Sequence, residues 1–558
     1  MDPEIARSSE ALHSYLIGEL SYGKEDFNEA LKNFSKVSDL LGEPEPIVHT
    51  KLAELYLRGG DLEKALRESK KALDATPQDK PAMLLYAGIL ESVGNLAEAE
   101  PVYRRLIEAD PASIEPYIFL SSLYFRQNNK AQSDEILKKL GDQHIKDPVA
   151  TYYLGRAYEE RGELQVAEKY LEKAVQEAPE RVGYAVDLVR ILLKLRKVPK
   201  AKKLCQQILT RDPDNVVARK VLGQLLMGES NFDEALTHLK AAESNEKDPT
   251  ETRFKIALIQ IEKRNIKEAI RELSLVLAQN PEHDEARYYL ASLYAGLGQR
   301  REAIDELSKI SVEKKMFVKS KTLAAFILRQ EGDLGRAADA VKSAMEKEPS
   351  SRPLLDYYIV ILRGARRFSE AEEILAKNLK SSPKDEKLLY SHAVVLSDLG
   401  KAVEAENEMM KLLEINPKNH EVLNFIAYSM AERGAELVRA AEFISRALEI
   451  APENGYYLDT LGWIYFKEGE YKKAVEVLAR SVGIVRDDMV LFEHYGDALV
   501  KAGQIKEGVE AYRKALLREV PAGAESEDSE QGSSRKRMHE KVSRLVAENP
   551  ALFPNEKK

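Results

Sequence analysis

A column of small residues recurs along almost the whole chain at a fixed interval. It runs through Ala30, Ala65, Ala99, Ser133, Ala167, Ala201, Ala235, Ala269, Ala303, Ala337, Ala371, Ala405, Ala440, Ala474 and Gly508. Each step is 34 residues, except two of 35, from 30 to 65 and from 405 to 440. A period of this length means one supersecondary unit copied many times, each unit burying its apolar face on its neighbours. A division into several globular domains, which 558 residues would otherwise suggest, is therefore not required.

The stretch from Gly455 to Arg486 shows what the unit is. Leu458, Leu461, Gly462 and Tyr465 recur at helical spacing, Glu468 and Gly469 interrupt it, and Tyr471, Ala474, Val475 and Leu478 restart it. Two short amphipathic helices joined by a turn follow, neither long enough to be stable alone. Gly462 and Ala474 are the small residues that let the two helices approach closely. The Gly462 position has its own column: Gly18, Ala53, Ala87, Ser121, Gly155, Val189, Gly223, Ala257, Ala291, Ala325, Ile359, Ala393, Ala427, Gly462 and Gly496. Val189 and Ile359 alone are large. Their helix pairs are expected to be spaced more widely and to alter the local curvature, or else to repack slightly.

Prolines at 77, 111, 179, 213, 281, 349, 383, 417 and 452 mark the ends of repeats, and the junctions near His144, Lys247 and Lys315 lack them. Asp26 with Glu29, Asn95 with Glu98 and Asn231 with Glu234 have the spacing of a capping box. The repeats are expected to span 11–520 as one continuous array. PAGAESEDSEQGSS then reads as a flexible acidic linker over 521–533. Helical spacing returns over 534–547, with Met538, Val542 and Leu545 on one face. That segment either caps the apolar end of the array or docks elsewhere, in the groove for instance.

A 34-residue helix–turn–helix period with this small-residue column resembles the tetratricopeptide repeat family. The resemblance implies an all-α fold, an α-solenoid of about fifteen repeats in a right-handed superhelix, with the first helix of each repeat lining a concave groove. It implies a non-enzymatic scaffold for protein–protein interaction, holding a peptide or protein segment in that groove. The phrases LNFIAYSMAERG, GYYLDTLGWIYFKEG and FEHYGDALVKAG are further similar to the C-terminal repeats of bacterial tetratricopeptide proteins, many linked to the cell envelope. This implies a bacterial source and a role in assembling an envelope complex.

Groove positions near the C-terminus supply the candidate site. They are Asn424, Phe425 and Tyr428 in one repeat, Asp459, Trp463 and Phe466 in the next, and Glu493, His494 and Asp497 in the one after; Phe425 and His494 line the same positions, and the other seven form the candidate site. Trp463, the only tryptophan, lies on a helix whose packing face is already filled by Leu458, Leu461 and Tyr465. It is expected to anchor a ligand, with the polar residues fixing register. The alternative is that these aromatics pack against the next repeat.

Other classes are weighed against this reading. No Gly-rich phosphate loop, GxSxG, HExxH or Cys/His cluster is present, so neither an enzyme nor a cofactor is expected. The net charge of −9 argues against a nucleic-acid binder, although RNA-reading helical repeats remain the rival, with a purely structural spacer third. Arg190, Lys194, Arg196, Lys197, Lys200, Lys202 and Lys203 form a basic run: a solvated surface, or a docking patch for an acidic partner or anionic lipid. The acidic run 525–530 is a further candidate for its partner. Lys220, Gln224 and Lys255 fall near the places where chaperone-tail binders carry lysines and asparagines, but the asparagines are missing. Cys205, the single cysteine, lies on an apolar face and is expected to be buried. No apolar run is long enough for a membrane span, and no signal peptide is visible. A cytoplasmic protein is expected, or a periplasmic or envelope one if a leader has been removed.

Overall fold

The structure, a computed structural model, describes residues 3–42, 45–144, 146–517 and 530–553. Among them are 31 helices and no strand. Thirty helices form fifteen consecutive pairs, from Pro3–Gly23 with Phe27–Leu41 to Met489–Lys501 with Ile505–Leu516, and the last is Glu530–Glu548. The pairs are numbered here as repeats 1 to 15. The chain falls into two compact units, Met1–Pro281 and Glu282–Lys558. The first contains repeats 1–8. The second contains repeats 9–15 and the terminal helix. Within each unit, successive helices pack in chain order as an all-α solenoid.

The small-residue column is what allows this packing. All fourteen of its alanines and serines are fully buried. The partner column shows how tight the fit is. A methyl group placed on Gly462 would come within 2.5 Å of Leu478, and one on Gly223 within 2.6 Å of Leu239. Both are far inside van der Waals contact, so the two helices of a repeat touch through the missing side chain. Where both positions are serine, the polarity is satisfied locally: Ser133 donates to the Ser121 carbonyl at 2.8 Å. Cys205 is buried in the core of repeat 6, and burial pushes its thiol up to about 12, which leaves it an inert apolar filler.

The two large residues in the glycine column leave a visible mark. Among the described residues, the helices of repeat 11, which contains Ile359, share the thinnest contact within any repeat, followed by those of repeat 6, which contains Val189. A cleft of about 360 Å³ opens beside repeat 6, between Val175, Val182 and Ile208. A second, of about 520 Å³, opens beside repeat 11, between Met345, Tyr358 and Ile374.

Details at the ends and caps depart from the sequence reading. The first helix begins at Pro3, ahead of Ala11, and its Ile5, Leu12, Leu16 and Leu20 are exposed. Asp26 does accept the Glu29 amide, at 3.2 Å. Asn95 and Asn231 make no side-chain cap; Asn231 instead donates to the Glu234 carboxylate at 2.7 Å. Of the expected linker 521–533, residues 521–529 lie outside the described residues, and the terminal helix already includes 530–533.

Candidate functional site

The first helices of repeats 13, 14 and 15 are His420–Arg433, Gly455–Lys467 and Met489–Lys501. Asn424, Asp459 and Glu493 stand three residues before the glycine-column position of their repeats; Tyr428, Trp463 and Asp497 stand one after it. The structure brings these side chains together along one wall, and the wall is closed on itself.

Trp463 is not a free anchor. It is 8% exposed. Phe466 stacks on its ring at 4.6 Å between centroids and His494 stacks at 4.0 Å. The indole N–H donates to the Glu432 carboxylate. The Lys467 ammonium lies 5.0 Å from the ring centre. The expectation of an open groove aromatic is therefore corrected. Neighbouring first helices are close enough that an indole on one is covered by the imidazole of the next.

The polar residues of the wall are likewise engaged by neighbouring repeats. Thr460 donates to the Asn424 side-chain oxygen at 2.8 Å. Asp459 holds Nδ1 of His494 at 3.0 and 3.1 Å. Burial opposes a charge on His494, but the Asp459 carboxylate, with Glu432 and Asp497 beyond it, outweighs burial and raises its pKa above the ordinary 6.5. Tyr428 lies tilted against the same imidazole, 6.5 Å between centroids. Glu493 and Asp497 share one cation, Lys541 of the terminal helix, at 3.0 Å and 2.6 Å. His494 stands among the groove positions read from the sequence, and the structure stacks it on Trp463. Lys541, which completes the wall, carries no signal in the sequence, because no repeat period sets the register of the terminal helix.

The same two columns produce a different surface in repeats 9 to 11. Their first helices are Asp284–Gly296, Phe317–Gln330 and Arg352–Gly364. Tyr288 and Thr322 occupy the column of Asp459, and Phe326 that of Trp463. These side chains line an open pocket of about 570 Å³ together with Val318, Lys319, Leu323, Pro353, Leu354 and Tyr357. Phe326 is 44% exposed. The Tyr357 hydroxyl oxygen is buried, with no hydrogen-bond partner among the described residues, and the Arg329 guanidinium lies 5.6 Å from its ring centre.

Local sequence explains the opening. The second helix of repeat 9, Arg300–Ser308, has nine residues where its neighbours in repeats 8 and 10 have 14. The chain then runs without helix to Phe317, tied by the Met316 amide to the Asp284 carboxylate at 2.9 Å. Ile310, Met316 and Phe317 form a small buried cluster on which Tyr288 and Val318 lean. This is the proline-free junction near Lys315.

The basic run of repeat 6 is largely neutralised within the chain. Arg190 pairs with Glu159 and Asp187, Lys194 with Glu159, Lys197 and Lys200 with Glu168, and Lys202 with Glu229. Asp187 lies one turn before Arg190 on the same helix, and the other carboxylates come from neighbouring repeats or turns, so a count over 190–203 alone overstates the patch. Most of the proposed acidic partner, 525–529, lies outside the described residues. Lys220 pairs with Glu246, and Lys255 donates to Gln224 at 3.0 Å, so those positions also serve to link repeats.

Profiles described as tetratricopeptide repeat match residues 50–114, 120–181, 158–225, 260–315 and 456–488. The chain carries tetratricopeptide repeats. The TPR repeat-containing protein YpiA of Bacillus subtilis is 22% identical over 187 residues, covering 33% of this chain and 44% of YpiA. The human protein O-mannosyl-transferase TMTC1 is 24% identical over 213 residues, covering 38% of this chain and 23% of that protein. This tetratricopeptide chain thus spans less than half the length of either relative. Among solved structures, YrrB, a tetratricopeptide protein with an unusual peptide-binding site, aligns with a TM-score of 0.30 and 16% identity over 34% of this chain and 96% of its own. Pseudomonas aeruginosa pilF aligns with a TM-score of 0.33 and 17% identity over 38% and 96%. Tetratricopeptide repeats are typically non-catalytic interaction scaffolds, and proteins built from them bind protein or peptide partners. Among the described residues no helix is long and apolar enough to cross a membrane.

Proposed function

We propose that this protein is a non-enzymatic scaffold that holds a segment of another protein against the first helices of repeats 9–11. The open pocket between Tyr288, Phe326 and Tyr357 carries this reading. It is apolar, of a size that takes one large side chain, and it lies in the columns expected to face a ligand. Lys319 and Arg329 favour an acidic residue beside the apolar one. In repeats 13–15 the wall of Asn424, Tyr428, Asp459, Trp463 and Phe466 supports the array from within, so a ligand there meets only edges. The test is affinity capture with wild-type protein and with Phe326→Asp. A specific partner retained by wild type and lost by a Phe326→Asp chain of unchanged melting temperature supports the pocket. Equal retention by both removes it.

A further inference from the structure

The open pocket is one end of a longer surface, and the charges around that surface say what fits it. The first helix of repeat 12 is Glu386–Asp398. Val360 stands in the column of Phe326, one repeat on, and Tyr390 stands in the column of Tyr288. Both are exposed, Val360 at 51% and Tyr390 at 39%. An apolar row therefore continues from the pocket across repeats 10, 11 and 12, all within the second unit.

Cations border this row on both sides. Lys319 lies in the first turn of Phe317–Gln330 and Arg329 in the last. At 1.5 Å per residue they stand about 15 Å apart along the helix, with Phe326 between them. Lys387 holds the position of Lys319 two repeats on, and Arg329 rests on the ring of Tyr357. Among the described residues none of these three cations has an ion pair. The carboxylates of the same stretch are already engaged: Glu285 with Lys315, Asp356 with Arg352, and Asp398 with Arg363. Glu421 approaches Tyr390 and closes the basic stretch at repeat 12.

We propose that the partner segment is an acidic amphipathic α-helix lying across the first helices of repeats 9–12, with its apolar face on Phe326 and Val360 and carboxylates on both flanks. The proposal rests on the reading of the pocket as the binding site. Width selects a helix. Its diameter with side chains is about 10–12 Å, so its two flanks reach both rows of cations. A single extended strand occupies only about 5 Å and reaches one of them. Length sets the register. A helix rises about 10.5 Å in seven residues, close to the width of one helix beneath it. The partner's apolar anchors therefore recur every seven residues, as in other helices laid in grooves. Charge sets selectivity, because a basic helix would meet Lys319, Arg329 and Lys387 with like charge.

The probe is a phage library of random 18-residue peptides, selected on the full-length protein and counter-selected on Phe326→Asp. Phe326→Ala replaces that variant should its melting temperature fall. Clones that require Phe326 should show apolar residues at heptad spacing and a net negative charge. The best clone, synthesised with a fluorescent label, should bind wild type at least tenfold more tightly than the Lys319→Glu, Lys387→Glu double variant, as read by anisotropy. Arg329→Glu should weaken it too, and proline at the centre of the peptide should abolish binding. Three results overturn the acidic helix and leave the pocket standing: Phe326-dependent clones that are neutral or basic, affinity unmoved by the charge reversals, or binding that survives the central proline. Enrichment of no Phe326-dependent clone overturns the pocket and the helix together.

Discussion

Repeats 9–11 and repeats 13–15 present the same two columns of their first helices and do opposite things with them. In repeats 13–15 the residues there are long or bear opposite polarity to their neighbours: an indole against an imidazole, a carboxylate against a histidine, two carboxylates against a lysine. Each repeat is the ligand of the one before it. In repeats 9–11 the same columns hold Tyr288, Thr322 and Phe326, and the shortened second helix of repeat 9 with its irregular connector leaves the surface open. Register decides which side chains face the surface. The neighbouring repeat decides whether that surface is already satisfied.

The contrast can be broken most sharply by truncating the two aromatics. Trp463→Ala should destabilise the second unit by about 3–5 kcal/mol, the range for a buried large aromatic, and any loss of binding should follow from that. A near-unchanged melting temperature would show that the wall is not the packed element described here. Phe326→Ala should do the reverse. Its stability should change by no more than about 0.5 kcal/mol, as for an ordinary surface position. Affinity for a captured partner should fall by about 2 kcal/mol, the size of a typical anchor residue, or roughly thirtyfold. A large melting shift in Phe326→Ala would mean that the pocket is part of the core.

A smaller effect separates the two regions by pH. The raised pKa of His494 means that its pairing with Asp459 contributes fully below about 6.5, the unfolded value, and is lost as pH rises through the folded one. The melting temperature of the second unit should therefore decline over that window. His494→Gln should abolish the decline, whereas Phe326→Ala should leave it intact. A decline of equal size in His494→Gln would assign it to another group.

Most of the architecture was legible because the small-residue column is a local rule applied fifteen times. Ala474 must be small because Gly462, twelve residues earlier, must lie against Leu478. That rule placed every helix pair, and Val189 and Ile359, which break it, marked the loosely packed repeats. The start of the terminal helix was not legible. Gln531 to Ser534 have the composition of a linker, yet the terminal helix begins before them, at Glu530. The candidate site was half legible. Spacing put Trp463, Asp459 and Glu493 on the correct face, but what covers them comes from residues about 30 to 50 positions away: Glu432, His494 and Lys541. Those contacts follow no repeat rule. The pocket of repeats 9–11 could have been found by asking the same two columns about every repeat rather than about the one with the tryptophan.

A single-tryptophan quenching experiment tests the contrast without a partner. Trp463 is the only tryptophan in the chain, so wild-type emission reports the wall. Phe326→Trp combined with Trp463→Phe moves the reporter to the pocket. Acrylamide should quench Trp463 weakly, because its ring is buried and stacked against Phe466 and His494, and should quench a tryptophan at 326 several-fold more strongly. Equal quenching at the two positions, or stronger quenching at 463, would contradict the closed wall and the open pocket together.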